Sequence, residues 1–202
     1  MRGVCAKLRA VTLLALLAAA TQAAFGAAAA EPAVSEALRG RLRICSSCHG
    51  EDGNSSTAGV PSISGQPKTF IETQLVLFRE GFRDVPGKQP ALAGLSDREI
   101  ITIAAVFAAS PVRSLPGAAN QALTQQGRAL AQKLGCETCH LPDFRGREQI
   151  PRLARQREEY LVEAMTDLRD YRRPSGDTIM AVSLSGVSDA EVKALAHYLA
   201  HQ

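Results

Sequence analysis

Cys45-Ser46-Ser47-Cys48-His49 and Cys136-Glu137-Thr138-Cys139-His140 are one frame met twice, 91 residues apart. Other features recur at almost the same offset. Pro61-x-Ile63-x-x-Gln66-x-x-x-Phe70 matches Pro151-x-Leu153-x-x-Gln156-x-x-x-Tyr160 after 90 residues, and Leu95-Ser96-Asp97-Arg98-Glu99-Ile100 matches Val187-Ser188-Asp189-Ala190-Glu191-Val192 after 92. A drift this small over a whole unit means two copies of one small domain. Units of roughly 80–90 residues bury little of their own surface and need a staple or a cofactor.

The periodicity inside each unit is helical. Ile100, Ile103, Ala104 and Phe107 form one stripe of a 3.6-residue helix after Ser96, and Val192, Leu195, Ala196 and Leu199 repeat it after Ser188. Ser96 with Glu99 and Ser188 with Glu191 are capping boxes. Further helices are expected at Phe70–Arg79, Tyr160–Arg169, about Val34–Cys45 and Gln121–Cys136, with no alternating strand. The fold class is therefore all-α. Ser110-Pro111 to Pro116-Gly117 is loop-forming. It divides the chain into a first domain at 31–112, a linker at 113–120 and a second domain at 121–202.

Residues 1–30 read as a signal peptide. Arg2, Lys7 and Arg9 precede an apolar run around Leu13, Leu14, Leu16 and Leu17, and Ala28-Ala29-Ala30 offers a cleavage site before Glu31. Cys5 lies ahead of the apolar run and is discarded with it. No later stretch is long and apolar enough for a membrane span.

Of 202 residues, 46% are hydrophobic and 21% charged, ordinary globular material. Aromatics are 4% with no Trp, too few for base-stacking platforms. The net charge of +3 resides in the signal peptide, so from Glu31 onward 20 basic residues balance 20 acidic ones. That excludes a nucleic-acid binder, which needs a clustered basic surplus.

C-x-x-C-H is the attachment pattern of c-type haem. Cysteines at i and i+3 of a helical turn face the same way, so Cys45 with Cys48, and Cys136 with Cys139, can each tether a ring through two thioethers. His49 and His140 then supply an imidazole to the iron. A disulfide would not require a histidine next in line, twice. A thioredoxin-like motif needs a βαβ setting, and a shared zinc site leaves both histidines unexplained. Two covalently bound haem c groups are the expectation.

Methionine is a frequent second axial ligand. Met165 aligns with Leu75 inside a helix and reads as core, while Met180 lies in a polar loop eight residues before Ser188 and is the candidate for the second haem. Eight residues before Ser96 the first unit has Lys88. A neutral lysine amine is a competent nitrogen ligand and burial favours its neutral form; the alternative is an iron left open or bound by water. The two haems are then inequivalent. Arg79, Arg83 and Arg169, with Arg172 and Arg173, follow the second helix of each unit and are candidates for the haem propionates. His197 and His201 read as surface histidines rather than a metal pair.

The chain resembles the cytochrome c4 family of exported dihaem cytochromes. The residues that carry the resemblance are CSSCHGEDGNS at 45–55, the Pro61…Gln66…Phe70 run, Phe78-Arg79-Glu80-Gly81-Phe82-Arg83 and the Leu/Val-Ser-Asp before each last helix. The resemblance implies two tandem cytochrome c-like domains related by a pseudo-twofold, in the periplasm. It further implies electron transfer between periplasmic or membrane-bound redox proteins, such as a dehydrogenase or a terminal oxidase, and His/Met ligation of both irons. Lys88 departs from that ligand set, and Leu141 stands where the family has a glycine. An electron carrier without substrate chemistry is the leading reading. The alternative is an oxidoreductase like thiosulfate dehydrogenase, or its electron-accepting subunit, using the haem that lacks methionine.

Overall fold

The computed structural model describes residues 35–173 and 178–202, leaving out the side chains of Gln89 and Pro90; the expected signal peptide lies outside the described residues. The first half contains α1 (Glu36–His49), α2 (Lys68–Arg79), the short α3 (Gln89–Leu92) and α4 (Asp97–Ala109). The second contains α5 (Gln121–Lys133), α6 (Cys136–His140), α7 (Glu158–Arg169), the short α8 (Thr178–Ser183) and α9 (Asp189–Ala200). Among the described residues there is no named strand, and no helix is long and apolar enough to cross a membrane.

Both capping boxes form. The Ser96 hydroxyl accepts from the Glu99 amide and the Glu99 carboxylate accepts from the Ser96 amide; Ser188 and Glu191 repeat this at α9. These reciprocal bonds satisfy the first-turn amides that helix geometry orphans. The stripes they launch are buried, at Ile100, Ile103, Ala104 and Phe107 in α4 and at Val192, Leu195, Ala196 and Leu199 in α9. α4 packs on α2, and α9 packs between α5 and α7. Gly127 of α5 lets that crossing close, because a Cβ there would stand 2.2 Å from the Ala194 carbonyl oxygen and 2.5 Å from Tyr198 Cβ.

The cysteine frames sit differently in the two halves. α1 runs unbroken through Cys45 and Cys48 to His49, whereas Gly135, at φ 67°, ends α5 and starts α6 afresh at Cys136. Sequence periodicity merged these two elements into Gln121–Cys136. Met180, expected in a polar loop, stands instead in the short helix α8. The linker is tied to the first half: Asn54 Nδ2 donates to the Pro111 carbonyl, the Arg113 amide donates to Asn54 Oδ1, and Arg113 pairs with Asp52 at 2.6 Å.

The halves join through a twofold-like exchange. Gln156 Oε1 accepts from the Ser62 amide at 2.7 Å and its Nε2 donates to the Ser62 carbonyl at 2.9 Å. Gln66 does the same to Arg152, at 2.8 and 2.9 Å. Arg152 also donates to the Ser64 carbonyl. Ser62, Gln66, Arg152 and Gln156 are all buried.

Candidate haem sites

Each cysteine pair lies i, i+3 on the turn that ends in its histidine. Cys45 and Cys136 are half-buried, Cys48 and Cys139 exposed, and both histidines are buried. Burial pushes the Cys45 and Cys136 thiols above the ordinary range. Two cysteines presented on one side of a turn beside a buried histidine suit attachment of one ring through two thioethers.

The histidines are oriented by carbonyls. His49 Nδ1 is 2.7 Å from the Pro61 oxygen, and His140 Nδ1 is 2.9 Å from the Pro151 oxygen. A carbonyl only accepts, so Nδ1 carries the proton in each ring and Nε2 presents a lone pair. This is the tautomer a metal-binding imidazole needs. Pro61 and Pro151 head the repeated Pro…Gln runs. That recurrence, at twelve and eleven residues past the histidines, was the sequence signal for these partners.

In the first half the lone pair meets Lys88, whose Nζ is 2.7 Å from His49 Nε2. Burial and the nearby Lys88 hold His49 down at about 4. Burial, helped by Arg83, lowers Lys88 from the ordinary lysine value. Both groups are thus biased toward the neutral, electron-pair-donating form. Thiols, an imidazole nitrogen and an amine around one half-buried space fit a covalently attached haem. In the second half, Met180 packs against the core of buried Leu161, Met165, Leu184 and Val187. Met165 is core, as its alignment with Leu75 implies.

The arginines separate into two groups. Arg79 ties Glu80, Asp97 and the Leu95 carbonyl, and Arg169 ties Asp170, Asp189 and the Val187 carbonyl. Arg172 pairs with Asp167. Arg83 instead stacks over Phe78, 4.6 Å from the ring centroid, and donates to Gln74, which Arg173 also reaches from the second half. Both Arg83 and Arg173 face the Tyr160 hydroxyl. Burial raises that phenol, but the two guanidiniums outweigh burial and bring it below the ordinary tyrosine value. Nothing in the sequence signalled this convergence, because it spans the two halves.

His197 is not on the surface. It is buried; its Nε2 accepts from the Asn120 amide and its Nδ1 donates to Glu158. Glu158, His197 and His201 could approach a common ion, but both nitrogens of His197 are already used to join the starts of α5 and α7 to α9. Leu141 takes a left-handed φ of 71° where Gly50 has 85° in the first half, so the loop after the second histidine keeps its course without the glycine.

The family model for cytochrome c matches residues 124–202. Cytochrome c4 of Pseudomonas aeruginosa is 31% identical over 180 residues, covering 83% of this chain and 89% of that protein. A thiosulfate dehydrogenase electron acceptor of Stutzerimonas stutzeri is 32% identical over 168 residues, covering 78% of each. The crystal structure of reduced cytochrome c4 from Pseudomonas stutzeri superimposes with a TM-score of 0.73 at 30% identity, covering 82% of this chain and 97% of that one. Paired C-x-x-C-H frames, two covalent haem c groups and a mutually clamped pair of helical domains thus come together in one electron-transfer protein, and the chain belongs to the cytochrome c4 family.

Proposed function

We propose that this dihaem cytochrome ligates its first haem iron with His49 and Lys88 and its second with His140 and Met180, and relays electrons between periplasmic or membrane-bound redox partners. The rings are tethered by Cys45 with Cys48 and by Cys136 with Cys139, in domains of residues 31–112 and 121–202 that follow an export signal at 1–30. Haem iron supplies one-electron chemistry by alternating between ferrous and ferric states. The chain's residues do the rest: Pro61 and Pro151 fix each imidazole, and α2, α4, α7 and α9 exclude water behind it.

The observation that carries the ligand assignment is the convergence of Lys88 Nζ on the lone pair of His49 Nε2, where they now share a direct hydrogen bond; an iron seated between them would part the pair. An amine lacks the soft thioether that raises potential, so the first haem should have the lower potential of the two. Arg83 is the arginine we assign to a propionate, because its guanidinium shares the Phe78 ring with Lys88, whereas Arg79 and Arg169 are each held by two carboxylates.

The test is optical and redox spectroscopy of the full chain carrying Lys88→Met or Lys88→Ala. One haem's spectrum and potential should change, Met raising the potential, while the other's remain. An unchanged spectrum refutes lysine ligation. Rapid binding of carbon monoxide to the unaltered protein would instead point to an open iron, and with it to the alternative role beside a thiosulfate-oxidising enzyme suggested by the electron-acceptor relative.

A further inference from the structure

The interdomain glutamines do more than join surfaces. The carbonyl of the Pro61–Ser62 peptide accepts from His49, and the amide of that same peptide donates to Gln156 of the other domain. The Pro151–Arg152 peptide repeats this with His140 and Gln66. A peptide is one conjugated unit. An acceptor on its N–H pushes electron density to its oxygen, which then accepts more strongly from the imidazole N–H, and chains of such bonds reinforce one another where water is excluded. Ser62, Gln66, Arg152 and Gln156 are 2–4% exposed, so no solvent competes for these groups. The strength of the hydrogen bond to an axial histidine sets that histidine's basicity and tunes the metal.

We infer that Gln156 and Gln66 are crossed positioning residues: each polarises, from the opposite domain, the peptide that orients the other domain's haem-binding histidine, so that the potential of each haem depends on how the other domain is seated. The inference rests on His49 and His140 being the axial ligands. It gives the interface a role in electron transfer that packing alone does not.

The test uses the full-length dihaem protein with Gln156→Leu and, separately, Gln66→Leu. Gln156→Met and Gln66→Met serve as second variants, since an unbranched side chain of similar length fills the site if leucine loosens it. Midpoint potentials of both haems and the NMR shifts of the axial histidine Nδ1–H protons are read. The Gln156 variants should raise the potential of one haem and weaken one histidine N–H hydrogen bond; the Gln66 variants should do the same to the other haem. Glutamines that served only as packing would let water reach both rings on substitution and lower both potentials. A result in which both substitutions move the same haem, move both, lower the potential or move neither overturns the inference. This crossing criterion needs no knowledge of the sixth ligands. The Lys88→Ala and Met180→Ala spectra test those separately, and a low-spin spectrum retained in each glutamine variant shows histidine ligation intact.

Discussion

At Gly53 and Phe144 the two domains solve one problem with opposite residues. The carbonyl of Gly53 accepts from the amides of Ile63 and Ser64, and the carbonyl of Phe144, 91 residues on, accepts from Leu153 and Ala154. Both residues take a left-handed backbone, φ 79° and 52°. In the first domain the missing side chain makes room for Phe107; in the second the large ring sits at the loop, edge-on to Tyr198, and the smaller Leu199 stands where Phe107 would be. The volume has been exchanged across the contact, which close-packed cores tolerate. Gly53→Ala alone breaks the exchange. Its Cβ would lie 2.9 Å from both the Phe107 ring and the Ser64 amide nitrogen. Overpacking and the left-handed strain together should cost about 3 kcal/mol, seen as a lowered melting temperature of the haem-loaded protein, with a smaller loss from the same substitution at exposed Gly87, where a Cβ meets nothing and only the strain of a φ of 82° remains.

At the scale of elements, what the sequence made legible was what is local. The capping boxes at Ser96 and Ser188, the apolar stripes they open and the two cysteine frames each lie within a dozen residues, and all are read by period and spacing. The break at Gly135 was not, because a left-handed residue inside an apolar pattern leaves the periodicity intact on both sides. The short α3 and α8 were missed for lack of length, and the burial of His197 because its partners Glu158 and Asn120 are distant in sequence. Two predictions belong here. Ser96→Ala should cost about 1 kcal/mol, checked by thermal unfolding. The Ser96 amide and hydroxyl hold the Glu99 carboxyl below the usual glutamate range, so the cap's contribution is complete above that range and is lost as pH falls through the depressed folded value; the penalty of the substitution should shrink in acid. Gly127→Ala drives a Cβ into the α9 backbone, and separating the helices should outweigh the gain in helix propensity by about 2 kcal/mol. An α5 that tolerates alanine without loss of stability would show that α9 is not held by this crossing.

For the whole molecule, the interface combines two kinds of bond with different pH behaviour. The glutamine–peptide exchange is neutral and indifferent to pH. The second set, where Arg83 and Arg173 face Tyr160, is not: two guanidiniums from different domains converge on one phenol, and both also donate to the neutral Gln74 side chain. The guanidiniums stabilise the phenolate, so the folded-state value lies below the ordinary tyrosine value of 10.0. For an acid depressed on folding, the linked stability begins to appear as pH rises through the folded value and is full once the unfolded tyrosine ionises as well. Tyr160→Phe removes the hydroxyl and leaves two like charges facing a ring. It should cost about 2 kcal/mol at neutral pH, the scale of a hydrogen bond to a charged group. The gap between Tyr160→Phe and the unaltered protein should widen as pH climbs toward 10, measured by denaturant unfolding at several pH values. A gap that stays constant or narrows would mean that the arginines do not stabilise a charged phenolate. The Phe70 position, which corresponds to Tyr160 in the other domain, carries no hydroxyl, so this pH-dependent tie lies on one side of an otherwise twofold interface.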